Sequence, residues 1–325
     1  MIDMRPFAPI ILTRRPQRTY RRRAITITNN ESSELADFQV EIPFTNPETY
    51  GRSFIELLRQ GGVRFTGPDG PVPHWAFQHA DNIIAYIVKV TLPASASKVI
   101  HMHYGGYVEN PWSGEDVFWF FDDFLGSAID TDKWDAEFVE DGSGSGIWTV
   151  ENSFLKLQPN GPSIGRIVKE TLIPSTSTDM IIEAMTKIGT MNGLPDYGLL
   201  ARFTDTTHIY MWCFCYWDVS YDNIGMAVKN PGWSDLGGVA ERTVVDRWCD
   251  LRFQLIGTSL KGYVNGILGK DVTNSALTQG RPGLLADDAY GGNGIYWFDN
   301  FRVRKATANM PGVSIGAEEL VTRRW

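Results

Sequence analysis

The feature that most restricts this chain is a two-residue alternation of apolar and polar side chains, cut at short intervals by turn residues and almost never replaced by a helical period. Residues 23–28 (Arg-Ala-Ile-Thr-Ile-Thr) alternate and then break at Asn29-Asn30. Residues 37–44, 62–66, 83–92 and 98–104 repeat that syntax, punctuated by Gly-Pro-Asp-Gly-Pro at 67–71 and Pro-Ala-Ser at 93–95. Only residues 53–60 look helical. Such a chain is all-β, and 325 residues with 43% hydrophobic content suffice for about two domains with cores of their own.

Residues 105–116 hold Gly, Pro and Ser and read as a joint. Beyond it, Phe118-Trp-Phe-Phe-Asp-Asp-Phe opens a longer series of strands. Trp148-Thr-Val and Phe154-Leu-Lys-Leu flank Asn152-Ser153 as a hairpin, and strands are expected over 180–187, 197–204, 208–217, 225–229, 248–256, 259–264, 281–286 and 295–304. The expected organisation is a basic, proline-containing arm (1–17), a small antiparallel β-sandwich (18–106), a linker (107–117), a two-sheet jelly roll (118–306) and a C-terminal tail (307–325) that runs along a neighbour.

Two resemblances accompany this pattern. Residues 23–30, Val63-Arg-Phe-Thr, Pro73-His-Trp, residues 85–90 and Ile100-His-Met-His-Tyr-Gly-Gly resemble a prokaryotic family of unknown function often found on secreted or surface proteins. Phe121-Asp-Asp-Phe, Lys133-Trp, Trp148-Thr-Val-Glu-Asn, Ser259-Leu-Lys-Gly-Tyr-Val-Asn-Gly and Tyr296-Trp-Phe-Asp-Asn-Phe-Arg-Val resemble the concanavalin A-like lectin/glucanase sandwich. The second likeness implies a concanavalin A-like jelly roll. That sandwich hosts lectins, hydrolases and structural proteins alike, so it leaves function open.

Charge is unevenly distributed. Residues 1–23 carry seven arginines against Asp3, a local balance of +6 that leaves −14 on the other 302 residues of a chain whose total is −8. An acidic body disfavours sequence-specific nucleic-acid binding, whereas the arm, with Arg5, Phe7, Arg14, Arg15 and Arg18, suits docking onto another protein subunit. No apolar run approaches the 18 or so residues that span a bilayer, and residues 7–12 are too short for a signal peptide. Cys213, Cys215 and Cys249 read as buried free thiols, with one bridge to Cys249 left open.

Catalytic signatures are weak. No Glu-x-Asp-x-(x)-Glu strand is present, and Glu137, Glu140 and Asp141 sit beside a Gly-Ser repeat that reads as loop. Asp122, Asp123 and Asp299 lie on strands expected to pair, where they could ligate a structural calcium or cap turns; no other cofactor is expected. The segment 208–217 sorts Ile209, Met211, Cys213 and Cys215 to one face and Tyr210, Trp212, Phe214 and Tyr216 to the other. The second face is a ladder of rings that Arg202, Arg252, Gln254 and Tyr263 would join. It is either an open glycan platform or a covered core surface.

The reading that follows is a non-catalytic structural or adhesion protein able to bind cell-surface carbohydrate. Without an export signal, it would reach the outside as a spike, fibre or capsid-decorating subunit of a prokaryotic virion, self-associating into a homo-oligomer. The alternative is a cell-surface polysaccharide-binding protein or a glycoside hydrolase.

Overall fold

A computed structural model describes residues 18–44, 62–79, 82–104, 110–135, 138–139, 145–160, 164–190, 196–214, 223–240, 245–287 and 294–323. The expected helix at 53–60 lies outside them. Seven strands come first: β1 (Arg18–Thr28), β2 (Leu35–Pro43), β3 (Arg64–Gly67), β4 (Gly70–Val72), β5 (His74–His79), β6 (Asn82–Leu92) and β7 (Ser97–Tyr104). After α1 (Gly114–Val117) the chain forms β8 (Phe120–Asp122), β9 (Phe138–Val139), β10 (Ser145–Glu151), β11 (Phe154–Asn160), β12 (Ile164–Ile167), β13 (Met180–Thr190) and β14 (Asp196–Asp205). Next are β15 (His208–Phe214), β16 (Asn223–Lys229), β17 (Trp233–Ala240), β18 (Cys249–Ile256) and β19 (Ser259–Val264). The last are β20 (Ile267–Thr273), β21 (Arg281–Asp287), β22 (Ile295–Lys305) and β23 (Gly312–Arg323).

These strands make two sandwiches of antiparallel sheets. In the first, a sheet ordered β23-β1-β7-β3-β4 covers a sheet ordered β2-β6-β5, enclosing Ile25, Ile27, Phe38, Val40, Phe65, Val88, Ile100 and Met102. In the second, β10-β11-β22-β13-β18-β19-β20, with β8 beside β22, faces β17-β16-β15-β14-β21-β12-β9 across a larger core. Asn152 and Ser153 both take positive φ, 54° and 61°, as a tight hairpin turn requires, and β10 and β11 pair in register on either side.

Two expectations need correction. Residues 307–325 are not a tail along a neighbour: β23 returns to the first sandwich and pairs with β1 from Thr28↔Gly312 to Arg18↔Arg323. Its Glu318 and Glu319 bond Arg21 and Arg22, while Arg23 donates to Tyr104 Oη (3.2 Å) and the Gly316 carbonyl (3.0 Å). Four of the seven N-terminal arginines, Arg18 and Arg21 to Arg23, therefore belong to β1 and the fold. The segment 107–117 is also more than a spacer, because α1 packs against β8. A Cβ on Gly114 would lie 2.4 Å from the Phe121 ring, so only glycine fits there. Asp116 caps the helix, accepting from the Ser113 backbone N–H at 2.8 Å.

The sandwiches are joined through that region and through one sheet face. Trp75 of β5 packs on Phe118 and Phe121, with ring centroids 6.2 and 5.0 Å away, and Ile87 and Val117 complete an apolar cluster. Beside it, β2 lies against the outer face of the eight-stranded sheet, where Gln39 Oε1 accepts from the Lys305 backbone N–H at 3.0 Å. Cys213 and Cys249 are buried; Cys215 lies outside the described residues.

Candidate functional site

The aromatic ladder of β15 proves to be core. Tyr210 and Trp212 are 0% exposed and Phe214 is 1% exposed, all in the cluster between the two large sheets. The Trp212 indole lies on Gly262, where a Cβ would approach to 2.4 Å, and its Nε1 donates to the Tyr263 carbonyl at 3.1 Å. Tyr210 Oη donates to Asn274 Oδ1 and accepts from the Leu277 backbone N–H at 3.1 Å. These rings offer no face to a sugar, because the opposing sheet covers them. Tyr216 lies outside the described residues. Arg202 is equally internal. It sits at a bulge with φ 49° and is 1% exposed, donating Nη1 to the Leu277 carbonyl and Nη2 to that of Gly257, both at 2.7 Å.

Arg252, Gln254 and Tyr263 belong to the other large sheet and point to its outer face, so they do not extend the ladder. That face has two halves. On the first, Glu183 is fully buried and accepts from Arg252 Nε (2.7 Å), Arg302 Nε (3.3 Å) and Arg304 Nε (3.0 Å). Glu41 of β2 reaches in from the first sandwich to Arg304 Nη2 (3.0 Å) and Arg252 Nη2 (3.1 Å). Burial opposes ionisation of Glu183, but the guanidinium groups of Arg304, Arg252 and Arg302 outweigh it and hold its carboxyl well below the usual range. Asp250, by contrast, has among the described residues a single side-chain hydrogen-bond donor, Arg302, at 3.5 Å. Burial, reinforced by the Glu183 charge, pushes it up to about 7 against the Arg302 attraction. Arg252 is thus part of the joint between sandwiches and not a sugar ligand.

The second half of the face carries rings. Across the sheet, Lys156 of β11 is the partner of Trp297 on β22, and Trp297 that of Lys187 on β13. Asp246 donates its backbone N–H to the Ile188 carbonyl at 2.8 Å, which lays residues 245–248 along β13 and brings Trp248 into the group. The Phe154 and Trp248 centroids are 5.1 Å apart, and Lys187 Nζ sits 5.3 Å from the Trp248 ring and 5.6 Å from the Trp297 ring. Lys156 Nζ is 5.7 Å from Trp297 and pairs with Glu151 at 3.0 Å, while Lys187 pairs with Asp246 at 3.7 Å. All three rings are half-buried and stand outside both large cores. Apolar faces bordered by ammonium donors and carboxylate acceptors are the complement of a sugar, which presents C–H patches ringed by hydroxyls. The patterning had not singled these residues out, although strict alternation in Tyr296-Trp297-Phe298-Asp299 puts Trp297 opposite the core-facing Tyr296 and Phe298.

The three aspartates act as turn and strand-end acceptors. Asp122 takes the Phe124 backbone N–H (2.8 Å) on one oxygen and Trp134 Nε1 (2.6 Å) on the other, and Asp123 accepts from the Leu125 backbone N–H at 3.5 Å. Asp299 accepts from the Asn300 backbone N–H (2.7 Å) and side-chain amide (2.9 Å). Burial, reinforced by Asp123, pushes Asp299 up to about 6. Strand β8 pairs with β22 as expected, but among the described residues no three His, Cys, Asp or Glu side chains are grouped to hold a metal ion. In the arm, Arg5, Phe7, Arg14 and Arg15 lie outside the described residues, and Arg18 begins β1. No helix of the described residues is long and apolar enough to cross a membrane.

Residues 59–137 match a family model described as a domain of unknown function, DUF2341. A comparison with curated protein sequences found no match. Among solved structures, a carbohydrate-binding module, CBM66 from Bacillus subtilis, is similar at 16% identity and TM-score 0.42, over 52% of this chain and 95% of that one. The cellulose-induced protein Cip1 is similar at 13% identity and TM-score 0.43, over 58% and 99%. A Bacillus subtilis protein of unknown function with a galectin-like fold is similar at 11% identity and TM-score 0.42, over 57% and 94%.

Proposed function

We propose that this is a non-catalytic glycan-binding protein, working as a structural or adhesion subunit, that holds a polysaccharide on the outer face of its eight-stranded sheet at Phe154, Trp248 and Trp297. The observation that carries the reading is the row Lys156-Trp297-Lys187 crossing three adjacent strands, with Trp248 and Phe154 beside it and neither core claiming the rings. Sugar rings stack on the indoles while Lys156, Lys187, Glu151 and Asp246 exchange their mutual pairing for hydroxyl contacts. Those pairs are partly exposed and contribute little to the free protein, so breaking them costs little. A glycan array probed with the full chain should give binding that disappears in Trp297→Ala and Trp248→Ala. Retention of all signals in both variants would dismiss the platform. The virion or cell-surface setting belongs to this reading with arm 1–17 as docking peptide. Unchanged incorporation into particles after deletion of 1–17 would reject it.

One observation favours a second reading, a polysaccharide-cleaving site. Asp299 follows Trp297 by two residues on the same strand, holds its proton up to about pH 6, and is influenced by Asp123. Asp123 lines a groove of about 370 Å³ with Glu115, Asp130 and Lys133. A carboxyl group that keeps its proton near a second carboxyl group is the acid partner a glycosidase uses. Release of reducing ends that stops in Asp299→Asn and Asp123→Asn would establish it, and binding without turnover would leave the first reading in place.

A further inference from the structure

Next to the platform the edge strands of the two large sheets, β17 and β20, flank a groove of about 410 Å³ lined by Val239, Val264, Ile267, Leu268 and Arg247. Ile267 is 73% exposed and Leu268 47%, so the groove keeps an apolar wall open to solvent. Arg247 immediately precedes Trp248, which puts their Cα atoms about 3.8 Å apart, one residue contributing to the groove and the next to the ring cluster. Platform and groove therefore adjoin at the Arg247–Trp248 step of the chain. Their charges differ in kind. Lys156 and Lys187 are each paired with a carboxylate, whereas Arg247, and Lys270 lying over Gly237 of β17, have no ion-pair or hydrogen-bond partner among the described residues. Among the described residues Arg247 is thus a cation without a partner one residue from a ring of the platform, with Lys270 farther along β20, on a chain whose net charge is −8.

We infer that the polysaccharide is anionic: its sugar faces rest on Trp248 and Trp297, and its carboxylate or sulfate groups enter the groove to meet Arg247, with Lys270 adding to the field. This rests on the platform reading of the preceding subsection. A guanidinium receives a planar carboxylate or a sulfate edge through two parallel hydrogen bonds. The aliphatic wall of Val239, Val264, Ile267 and Leu268 displaces water around that pair, and ionic attraction strengthens as the local dielectric falls. A neutral chain would use the rings and leave Arg247 idle.

The test is calorimetric titration of the full chain with polygalacturonate, its neutral methyl ester, dextran sulfate and dextran. The expected result is affinity at least tenfold higher for one charged polymer than for its neutral counterpart, weakening in 0.5 M salt by roughly the loss that a few ionic contacts entail. The pair that shows it identifies carboxylate or sulfate. Arg247→Gln should erase that preference, and Lys270→Gln should reduce it, with melting temperatures within about 2 °C of the parent. Equal affinity for charged and neutral polymers, or a preference that survives the Arg247→Gln/Lys270→Gln double variant, overturns the inference; if Trp297→Ala still abolishes that binding, the platform stands. Charged-polymer binding that depends on Arg247 but persists in Trp297→Ala instead overturns the platform. Absence of binding to all four polymers overturns both.

Discussion

Strand β15 and the outer face of the eight-stranded sheet each display a row of large rings, and they have opposite fates. Tyr210, Trp212 and Phe214 alternate perfectly and are sealed between two sheets. Phe154, Trp248 and Trp297 come from three separate stretches of chain and stay half-exposed, with cations between them. A third region sharpens the contrast: the same outer face, a few residues along β13 and β22, carries Glu183, Arg302 and Arg304 and is covered by the first sandwich. Covered rings hold the fold, covered charges hold the joint, and uncovered rings are free to meet a ligand.

The difference can be broken at its strongest point by Trp212→Ala. The variant leaves an indole-sized void over Gly262 and should lose about 3–5 kcal/mol, seen as a collapse of the thermal midpoint in scanning calorimetry. A variant melting like the parent would mean that the ladder is not the core. Next in size is Glu183→Gln, which strands Arg252, Arg302 and Arg304 without their shared acid. A loss of about 3 kcal/mol in urea unfolding is expected, with the two sandwiches separating before either unfolds. A single unchanged transition would contradict the assigned joint.

Trp297→Ala should do the reverse of Trp212→Ala. Glycan affinity falls at least tenfold, about 1.4 kcal/mol, while stability changes by less than about 1 kcal/mol. A large drop in melting temperature would assign Trp297 to the fold instead. The smallest effect concerns Asp250, whose folded-state pKa of about 7 lies above its value of about 3.9 in an unfolded chain. Between those values the folded protein holds a proton that the unfolded chain releases. Asp250 therefore lowers stability as pH rises from about 4 to 7 and adds no further slope above that. Asp250→Asn should remove this decline and raise the melting temperature at pH 8, with little change at pH 4. Equal shifts at both pH values would refute the protonated, buried Asp250.

Much of the strand inventory was legible because core strands alternate. Strand β19 at Ser259–Val264 coincides with its expected span, and β13, β14, β18, β21 and β22 differ from theirs by a few residues at the ends. Strands β17 and β20 were not legible, since as edge strands with exposed residues on both sides they have no apolar face to announce. Strand β23 was missed for a related reason: Gly316, Ala317, Glu319 and Leu320 are exposed, so the alternation around Ser314 does not persist, and its partner, β1, lies almost the whole chain away. Of the candidate site, parity grouped Arg252 with Gln254 correctly but attached them to the wrong rings, because parity carries no information on which sheet a strand joins.

What the sequence determined by itself is the all-β character, the Asn152-Ser153 hairpin and the sorting of side chains to one face of a strand or the other. Each follows from steric rules acting over two to four residues. Only the tertiary structure decided which of those faces is covered, that the first and last strands, β1 and β23, share one sheet, and that Trp248, Trp297 and Phe154 meet. Those outcomes depend on strand order and on sheets packing across about 10 Å, between residues whose separation along the chain leaves no local trace.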